Sequence, residues 1–238
     1  MLLSIVIPCY NEARTIRHLL LAVQASPAVK GVDREIIVVD DGSNDGTQKI
    51  LQDYIASITA EPRIHLLQHA HNRGKGAALR TAFARARGDI ILVQDADLEY
   101  DPSEHPKLIA TILSGQADVV YGSRFSGGDA HRTLNFWHRW GNGLLTFLSN
   151  MTTNLNLSDM ETCFKAFRRE LLANIELREE GFGIEPEITA KLAHQGCRIN
   201  EVSISYYGRT YAEGKKICWK DGLHAIVCIF RYGLWQKS

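Results

Sequence analysis

Asp95 and Asp97, two aspartates separated by a single residue, are the first side chains in this sequence whose spacing indicates chemistry. They follow an apolar run at residues 90–93 that is typical of a buried strand. Two carboxylates at a strand end can share a divalent cation. Such a cation would bridge the phosphates of a nucleotide-sugar and neutralise charge on the leaving diphosphate. Asp-x-Asp triplets also occur on solvated surfaces, so the interpretation depends on what surrounds this pair.

A second acidic segment, Asp40-Asp41-Gly42-Ser43-Asn44-Asp45-Gly46-Thr47, follows another β-branched run. Asp45 has the position of a helix cap, with Thr47 in the first turn, and that explains part of the segment without any ligand. The adjacent Asp40 and Asp41 are harder to explain by capping. One of them can accept hydrogen bonds from a base or ribose, while the other faces a metal or a basic partner.

Two further segments supply positive charge. Lys75 is flanked by glycines in Asn72-Arg73-Gly74-Lys75-Gly76-Ala77-Ala78, directly before a helical pattern and without the spacing of a Walker P-loop. Backbone amides and a lysine in this position can hold an anionic edge of a nucleotide, although a solvated turn with a surface lysine has the same composition. Arg124, in Gly122-Ser123-Arg124, follows a further buried run.

The elements that must position these side chains are strands and helices in alternation, which is typical of a parallel sheet covered on both faces. Strand-like runs lie at residues 3–7, 35–39, 64–67, 89–93 and 118–121, and helical patterns lie at 12–24, 47–58, 76–86 and 106–113. In open α/β sheets, ligands bind at the carboxyl ends of the strands. We therefore expect an α/β protein whose polar loops converge on one crevice.

The rest of the chain is organised differently. The sequence predicts a helix at residues 143–151, a loop leading into a helix at 181–193 and an edge strand at 199–206. Residues 215–237 carry a helical apolar stripe with basic residues around it, which suits a helix in a membrane interface or one docked on the core. We expect a catalytic domain at 1–212 and an amphipathic helix at 213–238. Within the domain, residues 1–125 form a nucleotide-sugar half and residues 126–212 an acceptor-facing half.

Composition restricts the class of partner. The 238 residues include 27 Lys plus Arg and 27 Asp plus Glu, so no bulk charge attracts nucleic acid. No apolar run approaches the ~20 residues that span a bilayer, and the apolar N-terminus is typical of a buried strand rather than a signal peptide. The 5 cysteines lack C-x-x-C spacing and are expected to be small buried side chains in a reducing compartment. These features predict a cytoplasmic protein that is soluble or binds peripherally at the cytoplasmic face of the membrane.

The ordered segments resemble a known family. Pro8-Cys9-Tyr10-Asn11-Glu12, residues 40–47, residues 72–78, Asp95-x-Asp97 and Gly122-Ser123-Arg124 are similar to the motifs of family 2 glycosyltransferases. More narrowly, they resemble the dolichyl-phosphate mannose synthase group with its bacterial polyprenyl-phosphate hexosyltransferase relatives. The resemblance runs over nearly the whole chain. It implies a GT-A Rossmann-like fold, a Mg²⁺ or Mn²⁺ cofactor and inversion at the anomeric carbon.

The resemblance also implies roles for single residues. Asp95 and Asp97 are the implied metal ligands, and Glu99 stands where some relatives have a third, glutamine ligand. Arg124 is implied to contact phosphate. The expected donor-binding residues, of which the first four line the nucleoside pocket, are Pro8, Tyr10, Glu12, Asp40, Asp41, Lys75 and Asp95.

Residues 158–167 are similar to the family's motif near the transferred sugar. Relatives with hydroxyl acceptors have an acid near this position as general base, because the acceptor proton must leave during attack. A polyprenyl phosphate is already anionic and needs cations to position it instead. Asp159 is therefore a candidate catalytic residue beside Asp97 and Arg124, as base or as sugar contact. Arg124, Arg132 and Arg139 are candidate ligands for an acceptor phosphate.

The favoured function is transfer of a hexose, mannose from GDP-mannose, to a polyprenyl or dolichyl phosphate. One alternative is a soluble family 2 transferase with a UDP-sugar donor and a saccharide hydroxyl acceptor. Another is a non-catalytic nucleotide-binding module, against which the Asp95 and Asp97 pair argues. A dinucleotide dehydrogenase is disfavoured because no Gly-x-Gly-x-x-Gly follows the first run. Many relatives carry C-terminal transmembrane helices, and without them a lipid acceptor requires peripheral binding or a membrane protein partner.

Overall fold

Residues 1–58, 62–127, 136–209 and 219–234 are described by the computed structural model, and they form a sheet with helices on both faces. The strands are β1 (Leu2–Cys9), β2 (Asp33–Asp40), β3 (Ile64–Gln68), β4 (Ile90–Val93), β5 (Val119–Ser123), β6 (Lys165–Arg168) and β7 (Ile199–Ser203). The helices are α1 (Ile16–Ala25), α2 (Thr47–Ser57), α3 (Lys75–Arg85), α4 (His105–Leu113), α5 (Phe136–Thr153), α6 (Arg169–Ala173), α7 (Ile184–His194) and α8 (Trp219–Leu234). A short 3-10 helix, Pro102–Glu104, precedes α4.

The sheet is mostly parallel, with strand order β3-β2-β1-β4-β6-β5-β7. β1 pairs in parallel with β2 and β4, β2 with β3, and β5 with β7. The central strands β1, β2 and β4 are buried on both faces. That burial explains why their sequences are continuous apolar runs. The five strands predicted in the first half of the chain are therefore confirmed, as is the edge strand β7.

β6 is a strand that the apolar pattern does not predict. It lies between β4 and β5 and runs antiparallel to both, with Ala166 opposite Leu92 on one side and Val120 on the other. Its four residues begin with Lys165 and end with Arg168, which conceals a central strand. Lys165 is buried nonetheless, because it forms an ion pair with Glu185.

The hydrophobic core has one layer on each face of the sheet. Along β1, Ile5 and Ile7 pack in the layer under α1 and α4, whereas Val6 packs in the opposite layer with α3 and α7. This alternation is the two-residue period of a strand. Both faces are covered, and ligands therefore have access at the ends of the strands.

Several element boundaries differ from the predictions. α1 begins at Ile16 rather than at residue 12, because the Glu12 carbonyl accepts hydrogen bonds from the amides of Thr15 (3.1 Å) and Ile16 (2.9 Å) in a turn. β7 ends at Ser203, and beyond it Tyr206 forms only an isolated bridge with Tyr100. α5 begins earlier than predicted, at Phe136.

The C-terminal helix is present as α8, while residues 213–218 and 235–238 of the predicted helix lie outside the described residues. Ala225, Cys228, Ile229 and Tyr232 are buried against the body of the protein, and the opposite face is exposed. The helix thus docks on the core and also presents an apolar side to solvent. Among the described residues, no helix is both long and apolar enough to cross a membrane. The domain boundaries at residues 125 and 212 stay predictions.

Candidate functional site

The polar loops that follow β1, β2, β4 and β5 meet around one cavity of about 410 Å³. As the sequence predicts, it lies at the carboxyl ends of the strands. Helices α5, α7 and α8 close its other side. Most of the predicted site residues line it, namely Pro8, Tyr10, Glu12, Asp41, Lys75, Asp95, Asp97, Glu99 and Arg124.

Lys75 and Asp95 form an ion pair at the floor of this cavity. The Lys75 Nζ atom lies 2.9 Å from Asp95 Oδ1 and 3.4 Å from Glu185 Oε1, and it also contacts Cys163 Sγ at 2.7 Å. Burial opposes the lysine charge, but Asp95, Cys163 and Glu185 outweigh it and raise the pKa of Lys75 well above its ordinary value. Lys75 therefore stays cationic beside the first predicted metal ligand.

Asp97 and Glu99 are joined to the opposite wall by Arg209. Arg209 Nη2 lies 3.2 Å from Asp97 Oδ2, its Nε lies 3.7 Å from Glu99 Oε1, and its Nη1 lies 3.1 Å from Glu12 Oε2. Burial, with the charges of Asp95 and Glu99, raises the pKa of Asp97 to about 7, although Arg209 opposes this rise. Four carboxylates therefore lie close to the positively charged side chains of Lys75 and Arg209. They belong to Glu12, Asp95, Asp97 and Glu99.

This carboxylate set fits a hard divalent cation. Oxygen ligands at a strand end are what Mg²⁺ and Mn²⁺ prefer. Burial and the charges of Asp95 and Glu99 raise the pKa of Asp97, and a bound cation would offset both effects. Glu99 already accepts hydrogen bonds from Tyr206 Oη (2.7 Å) and the Arg209 amide (2.6 Å). Its place as a third ligand stays a prediction.

Asp40 and Asp41 accept hydrogen bonds from the loops that follow β2 and β3. Asp41 accepts hydrogen bonds from the amides of Arg73 (3.0 Å) and Gly74 (2.7 Å) and from Asn72 Nδ2 (2.9 Å), and it lies 2.6 Å from His69 Nδ1. It therefore holds the loop that delivers Lys75. Asp40 accepts a hydrogen bond from the Ser43 amide and is not among the residues that line the cavity. Direct contact of either aspartate with a donor stays a prediction.

Arg124 is held in place by Asp159. Its Nε and Nη2 atoms each lie 2.7 Å from an Asp159 oxygen, and its backbone amide donates to the same carboxylate at 3.0 Å. Asp159 is fully buried behind the arginine, and its own amide donates to Glu201. The geometry makes Asp159 a positioning residue for Arg124, which lines the cavity over the Tyr206 ring (5.2 Å).

Arg139, a second predicted phosphate ligand, does not line the cavity. Arg139 is exposed on α5, with its guanidinium 5.7 Å from the centroid of the Phe125 ring, and it is not among the lining residues. Arg132 lies outside the described residues. A role for both in acceptor binding stays a prediction.

Glu161 is a site residue that sequence reasoning missed. It lines the cavity and its Oε1 atom is buried without a hydrogen-bond partner. Burial and the charge of Glu185 raise its pKa to about 7, against the opposing effect of Lys165 and Arg124. Its position two residues after Asp159, inside the segment compared with the family's sugar motif, was the available signal. The pairing of Arg209 with the acids had no comparable signal, because it joins residues more than a hundred positions apart in the chain.

The cavity extends to α5 and α8. Asn142 and Leu145 of α5 line it, as do Asp221, Gly222 and Ala225 of α8. The two helices each carry a row of exposed apolar side chains at helical spacing: Trp140, Leu144, Phe147 and Met151 on α5, and Trp219, Leu223, Val227, Phe230 and Leu234 on α8. We call these two rows the exposed apolar face.

Comparison with known proteins places this geometry in a family. A model described as "Glycosyl transferase family 2" matches residues 4–176, which is well over half of the chain. The undecaprenyl-phosphate 4-deoxy-4-formamido-L-arabinose transferase of Pseudomonas aeruginosa is 31% identical over 215 residues, covering 90% of this chain and 60% of the relative. The enzyme of the same name from Pseudomonas savastanoi pv. phaseolicola is 31% identical over 213 residues, covering 89% and 60%. This chain thus spans 60% of the length of these relatives.

Solved structures share the fold. Glucosyl-3-phosphoglycerate synthase from Mycobacterium tuberculosis, with Mn²⁺, UDP and glucosyl-3-phosphoglycerate, has a TM-score of 0.73 at 22% identity, covering 97% of this chain and 80% of its own. The same protein with Mg²⁺ and UDP has a TM-score of 0.71 at 23% identity, covering 97% and 79%. At this level of identity the likeness concerns the fold, and it confirms the expected GT-A architecture.

Proposed function

The chain belongs to glycosyl transferase family 2, and from that membership we propose that it transfers a sugar from a nucleoside-diphosphate donor to a polyprenyl phosphate. One observation carries the choice of acceptor. Arg124, clamped by the buried Asp159, faces a cavity that extends to two helices with an exposed apolar face. That arrangement offers a fixed cation to a phosphate and an apolar surface to the lipid chain attached to it.

The donor diphosphate is assigned to the side of the cavity with Lys75, Asp95 and Asp97. A divalent cation, Mg²⁺ or Mn²⁺, held by the two aspartates would neutralise the charge on the departing diphosphate. Structural neighbours were crystallised with these ions and UDP, which supports the assignment. Lys75 adds positive charge to the same side, and the hydrogen bonds from the 72–74 loop to Asp41 fix where it stands.

The acceptor reaction follows from the charge of a phosphate. Its oxygen is anionic at neutral pH, so attack on the anomeric carbon requires orientation rather than removal of a proton. Arg124 supplies that orientation, and Asp159 keeps the guanidinium plane fixed. A single displacement inverts the configuration at the anomeric carbon.

Glu161 supports a second candidate function. A hydroxyl acceptor needs a general base, and a carboxyl with a pKa of about 7 in the cavity is suited to that role. Transfer from a UDP-sugar to a saccharide hydroxyl is therefore the alternative, with Glu161 as base. In the favoured reaction Glu161 instead accepts a hydrogen bond from a hydroxyl of the transferred sugar.

The identity of the donor stays a prediction. The sequence favours GDP-mannose. The relatives from Pseudomonas are named for transfer of 4-deoxy-4-formamido-L-arabinose to undecaprenyl phosphate, and the structural neighbours hold UDP. Both nucleotides and more than one sugar therefore belong in the donor panel.

Membrane contact is proposed through the exposed apolar face of α5 and α8. Phe147 is 59% exposed and Trp219 is 72% exposed, which is unusual for such large apolar side chains unless a partner covers them. Full burial of a Leu or Phe side chain is worth about 1.5–3 kcal/mol, so partial insertion of several of them gives reversible binding to a membrane surface.

The test is a transfer assay with radiolabelled GDP-mannose and a panel of labelled UDP-sugars, each with Mn²⁺ and undecaprenyl phosphate. Label should enter the organic phase with at least one donor, and the Asp97→Asn variant should lose that product. If donors are consumed only when soluble saccharides are supplied, and Glu161→Gln abolishes that reaction, the hydroxyl-acceptor alternative is correct.

A further inference from the structure

Glu179, His224 and Cys228 form a compact group outside the residues that line the cavity. His224 Nε2 lies 2.8 Å from Glu179 Oε2 and 3.4 Å from Cys228 Sγ. The three ligand-type atoms all lie within 4.8 Å of one another. Cys228 and Glu179 are buried, whereas the His224 side chain is 49% exposed. We call these three residues the α8 cluster.

The spacing of these atoms matches a transition-metal site. His224 and Cys228 are four residues apart on α8, so they project from the same helix face. In a tetrahedral zinc site with bonds of about 2.0–2.3 Å, neighbouring ligand atoms lie about 3.3–3.7 Å apart. The separations from His224 to Glu179 and to Cys228 are within about half an ångström of that range, and the third lies within 4.8 Å. Thiolate, imidazole and carboxylate are all zinc ligands.

The surroundings orient the three side chains. Tyr232 Oη donates a hydrogen bond of 2.8 Å to Glu179 Oε1, which leaves Oε2 directed at His224. Ligating carboxylates are typically held by such an outer hydrogen bond. Burial raises the pKa of the Glu179 carboxyl, but hydrogen bonds from His224, Tyr232 and Cys228 outweigh it and keep the acid ionised.

Gly183 explains how the three side chains approach each other. A Cβ atom at this position would lie 2.7 Å from Cys228 Sγ, 2.8 Å from Glu179 Oε2 and 3.0 Å from His224 Nε2. All three ligand atoms therefore converge on the space beside one glycine. A larger residue there would fill the space in which the three side chains meet.

We propose that the α8 cluster binds one divalent transition-metal ion of the zinc class, with solvent in the fourth position on the exposed side of His224. On binding, the Cys228 thiol releases its proton to solvent and coordinates as thiolate, while His224 coordinates as neutral imidazole and Glu179 as carboxylate. The site is separate from Asp95 and Asp97, and it does not depend on the proposed sugar transfer.

The ion would connect α8 to residues 74–76, which end the loop before α3 and begin that helix. Glu179 and Glu180 pack directly on these residues, since a Cβ at Gly76 would lie 2.3 Å from the Glu179 carbonyl and one at Gly74 would lie 2.4 Å from the Glu180 carbonyl. A metal bond between Glu179 and α8 would therefore fix α8, which bears part of the exposed apolar face, relative to the start of α3 and its Lys75. The role assigned to the metal is structural.

Cobalt binding to the full chain tests this proposal, because Co²⁺ replaces Zn²⁺ and reports a thiolate ligand through charge-transfer absorption in the near ultraviolet. Protein stripped of metal by a chelator should develop this band at one equivalent of Co²⁺. Cys228→Ser and His224→Ala should lose it, with Co²⁺ affinity lowered by about 100-fold or more, because loss of an outer partner alone costs about 10–100-fold. Tyr232→Phe should keep the band and bind about tenfold more weakly.

Matched controls separate this site from the cavity, where Cys163 lies next to Asp95. Cys163→Ser and Asp97→Asn should keep the band, and so should Cys197→Ser, which removes a half-buried thiol elsewhere. His224 is exposed, so His224→Ala keeps the test valid even if a change at the buried Cys228 prevents folding. Three results would overturn the proposal. The first is a band that persists in each of the single variants Cys228→Ser and His224→Ala. The others are loss of the band in Cys163→Ser and absence of the band in wild type at one equivalent of Co²⁺.

Discussion

At the scale of single residues, Arg209 joins three carboxylates of the cavity, those of Glu12, Asp97 and Glu99. Replacing it with alanine removes these ion pairs and leaves the acids facing one another. Breaking a buried ion pair costs about 3–5 kcal/mol, and the cost here is lower because the Arg209 side chain is 17% exposed. We therefore expect Arg209→Ala to lower the melting temperature of chelator-treated protein, and Mn²⁺ to restore much of the loss.

Arg198→Ala is the matched control for this measurement. Arg198 also pairs with an aspartate, Asp118, but its side chain is 56% exposed and lies at the other end of β7 from the cavity. The pair is bidentate, so its loss also lowers the melting temperature. Because no cavity acid takes part in it, that loss should be insensitive to Mn²⁺. Equal responses of the two variants to Mn²⁺ would contradict the assignment of the carboxylates to a cation.

Asp97 gives a prediction about pH, because its pKa is raised to about 7 in the folded protein. The folded-state pKa exceeds the unfolded value, so this group contributes stability at low pH that is lost as the pH rises through about 7. Asp97→Asn removes the titration. In chelator-treated protein, the variant should therefore gain stability relative to wild type as the pH rises from about 4 to about 7.

Denaturant unfolding of both proteins at several pH values measures this gain, for which a shift from 3.8 to about 7 sets an upper bound of about 4 kcal/mol. Added Mn²⁺ should reverse the order, since only wild type retains both aspartates. A stability difference between wild type and Asp97→Asn that stays constant with pH would mean that the pKa of Asp97 is not raised in the folded protein.

The sequence could predict those site residues that lie directly next to a strand or helix along the chain. Asp95, Asp97 and Lys75 follow strands or precede a helix, so position along the chain places them at the sheet edge. Glu161 and Arg209 could not be placed in the same way. Their surroundings depend on β6 and on the segment after β7, which reach the cavity only through tertiary packing.

At the scale of elements, β6 shows why part of the topology was not predictable. β1, β2 and β4 are continuous apolar runs because both their faces are buried, whereas β6 carries Lys165 and Arg168 in four residues. Lys165 is buried because Glu185, from the first turn of α7, neutralises it and the Met160 and Thr162 carbonyls accept its hydrogen bonds. A pairing across that distance cannot be read from hydrophobic periodicity.

The loop before α3 gives a prediction at this scale. Gly74 has φ of +97°, and a Cβ there would lie 2.4 Å from the Glu180 carbonyl oxygen. Gly74→Ala should therefore destabilise the protein by about 1–3 kcal/mol and weaken binding of nucleotide by displacing Lys75. Denaturant unfolding and nucleotide titration by calorimetry measure the two effects.

Gly196→Ala is the control that measures backbone strain without a steric clash such as the one between residue 74 and the Glu180 carbonyl. Gly196 has φ of +68°, yet nothing lies within 4 Å of an added Cβ. This variant should lose about 1 kcal/mol from backbone strain alone and bind nucleotide as wild type does. If Gly74→Ala behaves in the same way as Gly196→Ala, the loop is not held by its contact with residue 180.

At the scale of the whole molecule, the resemblance to family 2 and the expectation of a GT-A fold are confirmed. Five motifs in a fixed order between residues 8 and 124 constrain the fold more strongly than any one of them, because each must follow a particular strand. The donor nucleotide, the sugar and the acceptor are chosen by side chains that sequence order does not position, so they stay proposals.

The proposed membrane contact belongs to the surface that α5 and α8 form together. Phe147 and Val227 are 59% and 52% exposed, one on each helix. The double change to serine should lower binding to phosphatidylcholine–phosphatidylglycerol vesicles by about tenfold or more, since each lost side chain contributes on the order of 1 kcal/mol. Cosedimentation measures this change. Leu21→Ser is the control, because Leu21 is 49% exposed on α1, outside the proposed face. Equal loss in the control would contradict the proposed face.

The central claim is that the acceptor is recognised by its phosphate, and the most direct test compares undecaprenyl phosphate with undecaprenol. Each is incubated with Mn²⁺ and the donor that the panel identifies, and lipid products are measured by mass spectrometry. We predict a glycosylated lipid from the phosphate alone, and a much lower rate with Asp159→Asn, in which Arg124 loses its bidentate partner. Equal transfer to undecaprenol, or product formation that is unchanged in Asp159→Asn, would contradict the account.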